Sequence, residues 1–318
     1  MTPIAKLGNP PDPARPRRRR RLRTVRTLPT LLTLGNLVCG FAAIHYCMSA
    51  IVTGETDLTV VQKLTLHSQL IESLLPSFVS VSAFMIVAGM LFDAADGRVA
   101  RFTQRTSNFG GQLDSLADMV SFGVAPAVLM ITLLTRLPDS DLVGLPGRAV
   151  WGVAAVYACC AAMRLARFNV EHAEDSTSGH TSFHGLPSPG AALVVASLVI
   201  LHELWEPQSP RTANLLANVL PYIVLASALL MVSNVRYVHV GNAYLRGRRP
   251  FDQFVIFLVV LGVLLWHPVL TMAGGSCLYA ASGPIGWFLR RLRPRPQQAS
   301  ANPEAADPEN PAETRKLG

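Results

Sequence analysis

Long uncharged stretches alternate with short polar segments along this chain. Four stretches contain no Asp, Glu, Lys or Arg, at 27–54, 73–92, 212–235 and 253–289. A hydrocarbon layer about 30 Å thick is crossed by about 20 helical residues, so each stretch is long enough for a transmembrane helix. The last stretch is too long for one ordinary span, and His267-Pro268 interrupts it, which favours two spans joined by a tight turn.

The pattern predicts an all-α fold: a polytopic transmembrane helix bundle of about eight spans, with a six-helix core and two further C-terminal helices. The predicted helices cover residues 28–51, 74–101, 109–136, 148–170, 187–204, 214–235, 253–267 and 270–289. The predicted domains are a basic tail at 1–27, a core domain at 28–250, two additional helices within 251–289 and a second tail at 290–318. Because both tails are rich in Pro and charged residues, we expect them to be disordered.

Composition narrows the class of protein. Half of the residues are hydrophobic and only 15% are charged, against about 25% in an ordinary soluble domain. This balance argues against a soluble enzyme and against a disordered chain. The formal net charge is +8, but the cations lie between apolar runs, so we expect membrane lipids and no nucleic acid as partners.

The distribution of cations predicts an orientation. With a cytoplasmic N-terminus and eight crossings, 24 of the 28 Lys and Arg residues fall on the cytoplasmic side. We therefore expect an integral membrane protein with both termini on the cytoplasmic side. The arginine run 17–21 is explained as a topology anchor, and binding of anionic lipid headgroups stays open as an additional role. The first apolar run is longer than a typical secretory signal core, so we interpret it as a retained span.

Four aspartates stand at the membrane edge of two neighbouring predicted helices. Asp93 and Asp96 are spaced i, i+3, and Asp114 and Asp118 are spaced i, i+4, so each pair occupies one helix face. A short loop favours antiparallel neighbours, which brings the four carboxylates together. Divalent cations with hard oxygen ligands, Mg²⁺ or Mn²⁺, resolve the repulsion. Two such cations suit phosphoryl-group chemistry, whereas helix capping or pairing with arginine explains one aspartate but not four.

The residues between the aspartates fit an anionic ligand. Gly97 and Gly110 allow close approach of the backbone. Arg101 offers a bidentate fork for phosphate, and Thr103 and Ser107 supply short hydroxyl donors.

The spacing of these residues resembles the signature of the CDP-alcohol phosphatidyltransferase family. The matching residues are Asp93-Ala-Ala-Asp96-Gly97-Arg-Val-Ala100-Arg101, then Gly110, Asp114 and Asp118 at the family's intervals. All eight fixed positions of the signature match. Members of this family are membrane enzymes that transfer a phosphatidyl or similar group from a CDP-linked lipid to an alcohol and release CMP.

The resemblance implies a role for each matching residue. Asp93, Asp96 and Asp114 would hold one divalent metal, and Asp118 would help to hold a second. Asp118 would also be the catalytic base that activates the acceptor hydroxyl. The implied contacts to the CDP moiety are Gly97, Ala100, Arg101, Thr103, Ser107 and Gly110. The family resemblance also implies a homodimer.

Three further segments, 29–40, 164–169 and 183–189, resemble the bacterial branch of the family that uses L-serine as acceptor and CDP-diacylglycerol as donor. Arg164 and Arg167 are spaced i, i+3 and can neutralise the serine carboxylate, although anchors at a helix end have the same pattern. Asn36, polar in an apolar helix, is a candidate acceptor contact or an interhelix hydrogen bond. The segment 183–189 is either a loop over the site or a proline-containing helix entry.

Two alternatives remain open at this level. The same chemistry can use another acceptor, namely glycerol 3-phosphate, inositol phosphate or choline. A divalent-cation transporter would also carry intramembrane aspartates, but it would leave the glycines and Arg101 of the signature unexplained. Three isolated histidines, His45, His202 and His267, are expected to have packing or interfacial roles.

Overall fold

All described secondary structure of this protein is helical, which confirms the predicted fold class. The computed structural model describes residues 24–53, 77–103, 108–137, 146–175, 185–235, 237 and 250–292. We number the helical runs α1 to α8 in chain order. They are α1 Thr24–Thr53, α2 Phe78–Thr103, α3 (Asn108–Asp118, a π-helical segment Met119–Val124, and Ala125–Arg136), α4 Gly147–Asp175, α5 Ser188–Trp205, α6 Pro210–Val232, α7 Pro250–Trp266 and α8 Pro268–Leu292.

Six of these helices, α1 to α6, are long and apolar enough to cross a membrane. The chain is therefore an integral membrane protein. The two C-terminal helices are not in this set, and α7 has only 17 residues. That α7 and α8 also cross the membrane stays a prediction.

The predicted helix boundaries differ from the observed ones by a few residues. The sixth helix begins at Pro210 rather than at 214, because proline suits the first turn of a helix. The second begins at Phe78 rather than at 74, directly after Ser77, whose hydroxyl accepts a hydrogen bond of 3.1 Å from the Ser80 N–H. The tails predicted for 1–27 and 290–318 lie mostly outside the described residues.

Helix α5 forms the centre of the bundle. Of its membrane-spanning residues 72% are buried, against 28% for α4. It packs against α2, α6 and α8, while α1 packs chiefly against α2. A helix that is apolar all round is typical of a protein core or of a membrane span. The outer surface of α1 exposes large apolar side chains, as a lipid-facing surface does, including Leu31, Val38, Phe41, Met48 and Val52.

Helices α1 and α3 approach each other closely at Gly40. A Cβ atom at this position would lie 2.3 Å from the Ser121 Oγ and 2.7 Å from its Cα. The Ser121 hydroxyl donates a hydrogen bond of 2.9 Å to the Asn36 carbonyl oxygen. Ser121 belongs to the π-helical segment of α3. The next residue of this segment, Phe122, accepts a hydrogen bond of 3.2 Å at its carbonyl oxygen from the Tyr157 hydroxyl of α4. Small residues at the crossing therefore fix the position of α1 relative to α3.

The entry to α5 is attached to the end of α6. Gly185 has φ of 86°, and a Cβ there would lie 2.4 Å from the Met231 carbonyl oxygen, so only glycine fits. Its N–H donates to the Val235 carbonyl at 2.8 Å, and the Leu186 N–H donates to the Leu230 carbonyl at 3.0 Å. The described part of the segment 183–189 is thus a helix entry packed on α6, with proline in the first turn of α5.

The C-terminal helix α8 is part of the packed bundle. The hydroxyls of Ser197 in α5 and Ser276 in α8 are 3.0 Å apart. The Tyr237 ring lies against Gly283, and its hydroxyl donates a hydrogen bond of 2.9 Å to the Ala280 carbonyl oxygen. Burial raises the pKa of Tyr237 to about 12, so its hydroxyl keeps the proton that this bond needs.

Candidate active site

Three aspartates converge where the end of α2 meets the start of α3. Carboxylate oxygens of Asp93, Asp114 and Asp118 all lie within 4.8 Å of one another. The two helices are neighbours along the chain, and the i, i+4 spacing of Asp114 and Asp118 turns both toward α2. The convergence predicted from the spacing is present for these three residues.

Asp96 lies beside this cluster but is directed toward α1. It is 7% exposed, and its Oδ2 accepts a hydrogen bond from the Thr33 hydroxyl. The family resemblance implies that Asp93, Asp96 and Asp114 form one ligand set. In the structure the close group is instead Asp93, Asp114 and Asp118.

Asn36 supports Asp118 from α1. Its side-chain amide Nδ2 donates a hydrogen bond of 3.0 Å to the Asp118 Oδ1, and the residue is fully buried. With Thr33 and Gly40 it forms a stripe spaced three and four residues apart along one face of α1. This stripe faces the aspartates and the π-helical segment, so α1 positions the cluster.

The donor set fits divalent cations of the hard class. None of the four carboxylates forms an ion pair with an arginine or lysine among the described side chains. Several carboxylates at this separation repel one another unless positive charge is supplied. Carboxylate oxygens are the ligands that Mg²⁺ and Mn²⁺ prefer. The cluster therefore has the chemistry of a metal centre, without identifying the metal.

Two kinds of glycine surround the cluster. At Gly35 and Gly89 an added Cβ would lie 2.9 Å from a side-chain atom of the facing helix, so these residues allow α1 and α2 to pack. At Gly97 and Gly111 an added Cβ would meet no described atom within 4 Å. Among the described residues, the face of α2 and α3 at these two glycines has room for a ligand.

The structure describes only part of the predicted CDP site. Gly97 and Gly110 lie on α2 and α3, next to the aspartates. Ala100, Arg101 and Thr103 belong to the last turns of α2, but their side chains are outside the described residues. Ser107 is also outside them.

The two arginines predicted for acceptor binding have different surroundings. Arg167 is exposed, pairs with Glu171 at 2.7 Å, and donates a hydrogen bond of 3.0 Å to the Asn234 Oδ1. Arg164 is half-buried and lies near Tyr237 and a tyrosine of α8. That both arginines bind the acceptor stays a prediction.

A further contact joins α4 to the aspartate region. The Ser115 hydroxyl and the Asn169 side chain are hydrogen-bonded at 3.0–3.1 Å. Ser115 follows Asp114 directly, so the end of α4 is held beside the cluster. No sequence motif singles out Thr33 or Ser115. The i, i+3 spacing of Thr33 and Asn36 on an apolar helix is the sequence signal that points to Thr33.

A sequence model of the CDP-alcohol phosphatidyltransferase family matches residues 26–233. The match covers α1 to α6 and includes all four aspartates. The chain belongs to the CDP-alcohol phosphatidyltransferase family.

Individual relatives carry more specific names. A CDP-diacylglycerol–serine O-phosphatidyltransferase of Helicobacter pylori is 34% identical over 214 residues, which are 67% of this chain and 82% of the relative. A protein of the same name from Saccharomyces cerevisiae is 39% identical over 127 residues, 39% of this chain and 42% of the relative. An archaetidylserine synthase of Methanothermobacter thermautotrophicus is 30% identical over 165 residues, 51% of this chain and 60% of the relative.

Proposed function

We propose that this membrane enzyme synthesises phosphatidylserine. It would transfer a phosphatidyl group from CDP-diacylglycerol to the hydroxyl of L-serine and release CMP. The observation that carries the proposal is the group of Asp93, Asp114 and Asp118 within 4.8 Å, set in the family signature. The names of the relatives from a bacterium, a yeast and an archaeon support serine as the acceptor.

The aspartates would hold two divalent cations, Mg²⁺ or Mn²⁺. Asp93, Asp114 and Asp118 are the proposed ligands in direct contact, with Asp96 beside them. When bound, such cations neutralise a diphosphate and orient it for displacement. The Thr33 hydroxyl would hold the Asp96 carboxylate in place through its hydrogen bond.

Asp118 is the proposed general base. One of its oxygens, Oδ1, accepts the amide hydrogen bond of Asn36, so Oδ2 would face the acceptor. The serine hydroxyl oxygen forms a bond to the phosphorus that carries diacylglycerol, and its proton passes to Asp118. The bond from that phosphorus to the CMP oxygen breaks, and CMP leaves with the bonding electron pair.

The open face next to the aspartates is the proposed CDP site. Gly97 and Gly110 would allow the backbone to approach the diphosphate, and the Arg101 guanidinium would bind a phosphate oxygen. The remaining proposed contacts are Ala100, Thr103 and Ser107. A Cβ added at Gly97 would meet no described atom within 4 Å, which supports this assignment.

Arg164 is the proposed partner of the serine carboxylate. It is the more buried of the two candidate arginines, and a buried guanidinium forms stronger charge-assisted hydrogen bonds than an exposed one. A smaller role is proposed for Arg167, because two of its five N–H donors already bind Glu171 and Asn234. Asn36 would contribute to acceptor binding through its hold on Asp118.

The active site is proposed to open toward the cytoplasmic leaflet of the bacterial inner membrane, with both termini on that side. The strong bias of Lys and Arg toward the same side as the aspartates supports this orientation. By analogy with the family we also propose a homodimer. The region 28–250 would form the catalytic domain, followed by two additional membrane helices in 251–289.

The acceptor is tested with purified protein in detergent, CDP-diacylglycerol and one labelled alcohol at a time. We expect labelled lipid from L-serine and none, or far less, from glycerol 3-phosphate, inositol phosphate or choline. Reaction with one of these alcohols and not with serine would reject the acceptor and keep the family chemistry. Cation flux into liposomes without any CMP release would instead indicate a transporter.

A further inference from the structure

A second group of metal-binding side chains lies at the other end of the bundle. His202, Glu203 and Glu206 each offer one ligand atom, and these atoms all lie within 4.8 Å of one another. Glu206 directly follows α5 and keeps helical backbone angles. Its N–H donates a hydrogen bond of 2.9 Å to the His202 carbonyl oxygen. Because His202 and Glu206 are spaced i, i+4, they occupy the same face of the helix end.

The imidazole of His202 has no hydrogen-bond partner among the described atoms. The residue is 1% exposed, and both Nδ1 and Nε2 are buried and unsatisfied. The nearest carboxylate oxygen, the Glu203 Oε1, lies 3.5 Å from Nδ1 without hydrogen-bond geometry. Buried polar nitrogens nearly always have a partner, so this side chain points to a missing ligand.

Glu203 is held in place from α2. It is 5% exposed, and its Oε2 accepts a hydrogen bond from the Ser77 hydroxyl. The other carboxylate oxygen, Oε1, lies on the side of His202. Arg136 at the end of α3 contributes positive charge nearby but forms no ion pair with Glu203 among the described side chains. Among the described side chains, only the His202 imidazole lies within ion-pair distance of this carboxylate.

The group is separate from the proposed active site. Ser77 directly precedes α2, and Asp93 lies near the other end of that helix, about 24 Å away at a rise of about 1.5 Å per residue. The aspartates of the proposed active site are therefore too far away to contribute a ligand to this second group.

We propose that His202, Glu203 and Glu206 form a zinc site at the end of α5, beside the start of α2. Imidazole nitrogen together with carboxylate oxygen is a donor set that Zn²⁺ accepts, with water in the fourth position. Glu206 is exposed, so the ion can enter the site from the side of this residue. The Ser77 hydroxyl would orient the Glu203 ligand, as residues behind metal ligands usually do.

The test measures bound zinc per chain in the full-length protein after chelation, dialysis against Zn²⁺ and excess Mg²⁺, and elemental analysis. We expect about one zinc per chain in the wild type. Glu206→Gln and His202→Gln should lose this zinc or bind it at least about 10-fold more weakly. Gln208→Ala, at an exposed position in the same turn, is the matched control and should bind zinc as the wild type does.

Two further measurements keep the outcome clear. The triple variant Asp93→Asn, Asp114→Asn, Asp118→Asn should retain the zinc, since the ion is not held by the aspartates. Zinc should raise the Tm of the wild type and leave that of Glu206→Gln unchanged. A folded wild type without bound zinc, or Glu206→Gln with undiminished zinc, would overturn the proposal and leave a protonated histidine–glutamate pair as the explanation.

Discussion

At the scale of single residues, the hydrogen bond from Asn36 to Asp118 connects α1 to the proposed chemistry. It fixes one carboxylate oxygen of Asp118 at 3.0 Å from the amide. Asn36→Ala should therefore lower kcat by about 10–100-fold, because residues that orient a ligand or base have effects of this size. The KM for CDP-diacylglycerol should change little, since Asn36 does not belong to the proposed CDP site.

Steady-state kinetics on purified variants check this expectation. The same substitution at Asn218, on α6, is the control for removing an amide from an apolar span. An unchanged kcat in Asn36→Ala would show that Asp118 does not need this support.

The two arginines of α4 give a second prediction at this scale. Arg164→Gln should raise the KM for serine by about 10–100-fold, the loss expected for a hydrogen bond to a charged group. Arg167→Gln should have a smaller effect, because Arg167 contacts Glu171 and Asn234. Initial rates at varied serine and saturating CDP-diacylglycerol measure both. Equal effects of the two substitutions would argue against a separate role for Arg164.

The sequence predicted the aspartate cluster because helical spacing alone turns each pair to one face and a short loop brings the pairs together. It did not predict that Thr33 and Asn36 are the partners of Asp96 and Asp118. Those contacts depend on how α1 packs against α2 and α3, which no local pattern specifies. It also treated His202 as a packing residue, since an isolated histidine reveals nothing about its neighbours.

At the scale of helices, the crossing of α1 and α3 at Gly40 holds Asn36 in register with Asp118. Gly40→Ala places a methyl group against Ser121 and must displace the backbone of one helix. We expect a loss of about 1–3 kcal/mol in the free energy of unfolding, and a fall in kcat because Asn36 moves with α1. Thermal unfolding in detergent and initial rates measure the two effects.

Gly274→Ala is the matched control, because a Cβ there meets no described atom within 4 Å. Alanine in an open helical position should leave the Tm unchanged or raise it slightly. A tolerated Gly40→Ala would mean that α1 and α3 are less closely packed than their contact at Ser121 indicates.

The extent of the helices was predictable because apolar runs end at charged residues or at proline. The π-helical segment after Asp118 was not, since a single wide turn depends on the packing of Ser121 and Tyr157 around it. Such segments are common at functional sites, and this one begins immediately after the proposed base.

At the scale of the whole molecule, the proposed orientation places the aspartates and the zinc site on opposite sides of the membrane. In a cysteine-free background, Gln112→Cys near the aspartates should react with a membrane-impermeant maleimide only after the cells are permeabilised. Gln208→Cys, in the turn after α5, should react in intact cells. The reverse pattern would invert the topology that the distribution of Lys and Arg predicts.

The central claim is that Asp118 is the base of a phosphatidyl transfer carried out at the aspartate cluster. The direct measurement is the rate of CMP release from CDP-diacylglycerol and L-serine by the wild type and by Asp118→Asn, with CDP-diacylglycerol binding and Tm measured on the same samples. Phosphatidyl transfer to serine predicts CMP and phosphatidylserine in equal amounts from the wild type. It predicts a fall of about 10²–10⁴-fold in the variant, while the fold and some lipid binding remain. Near-normal CMP release by folded Asp118→Asn would contradict it.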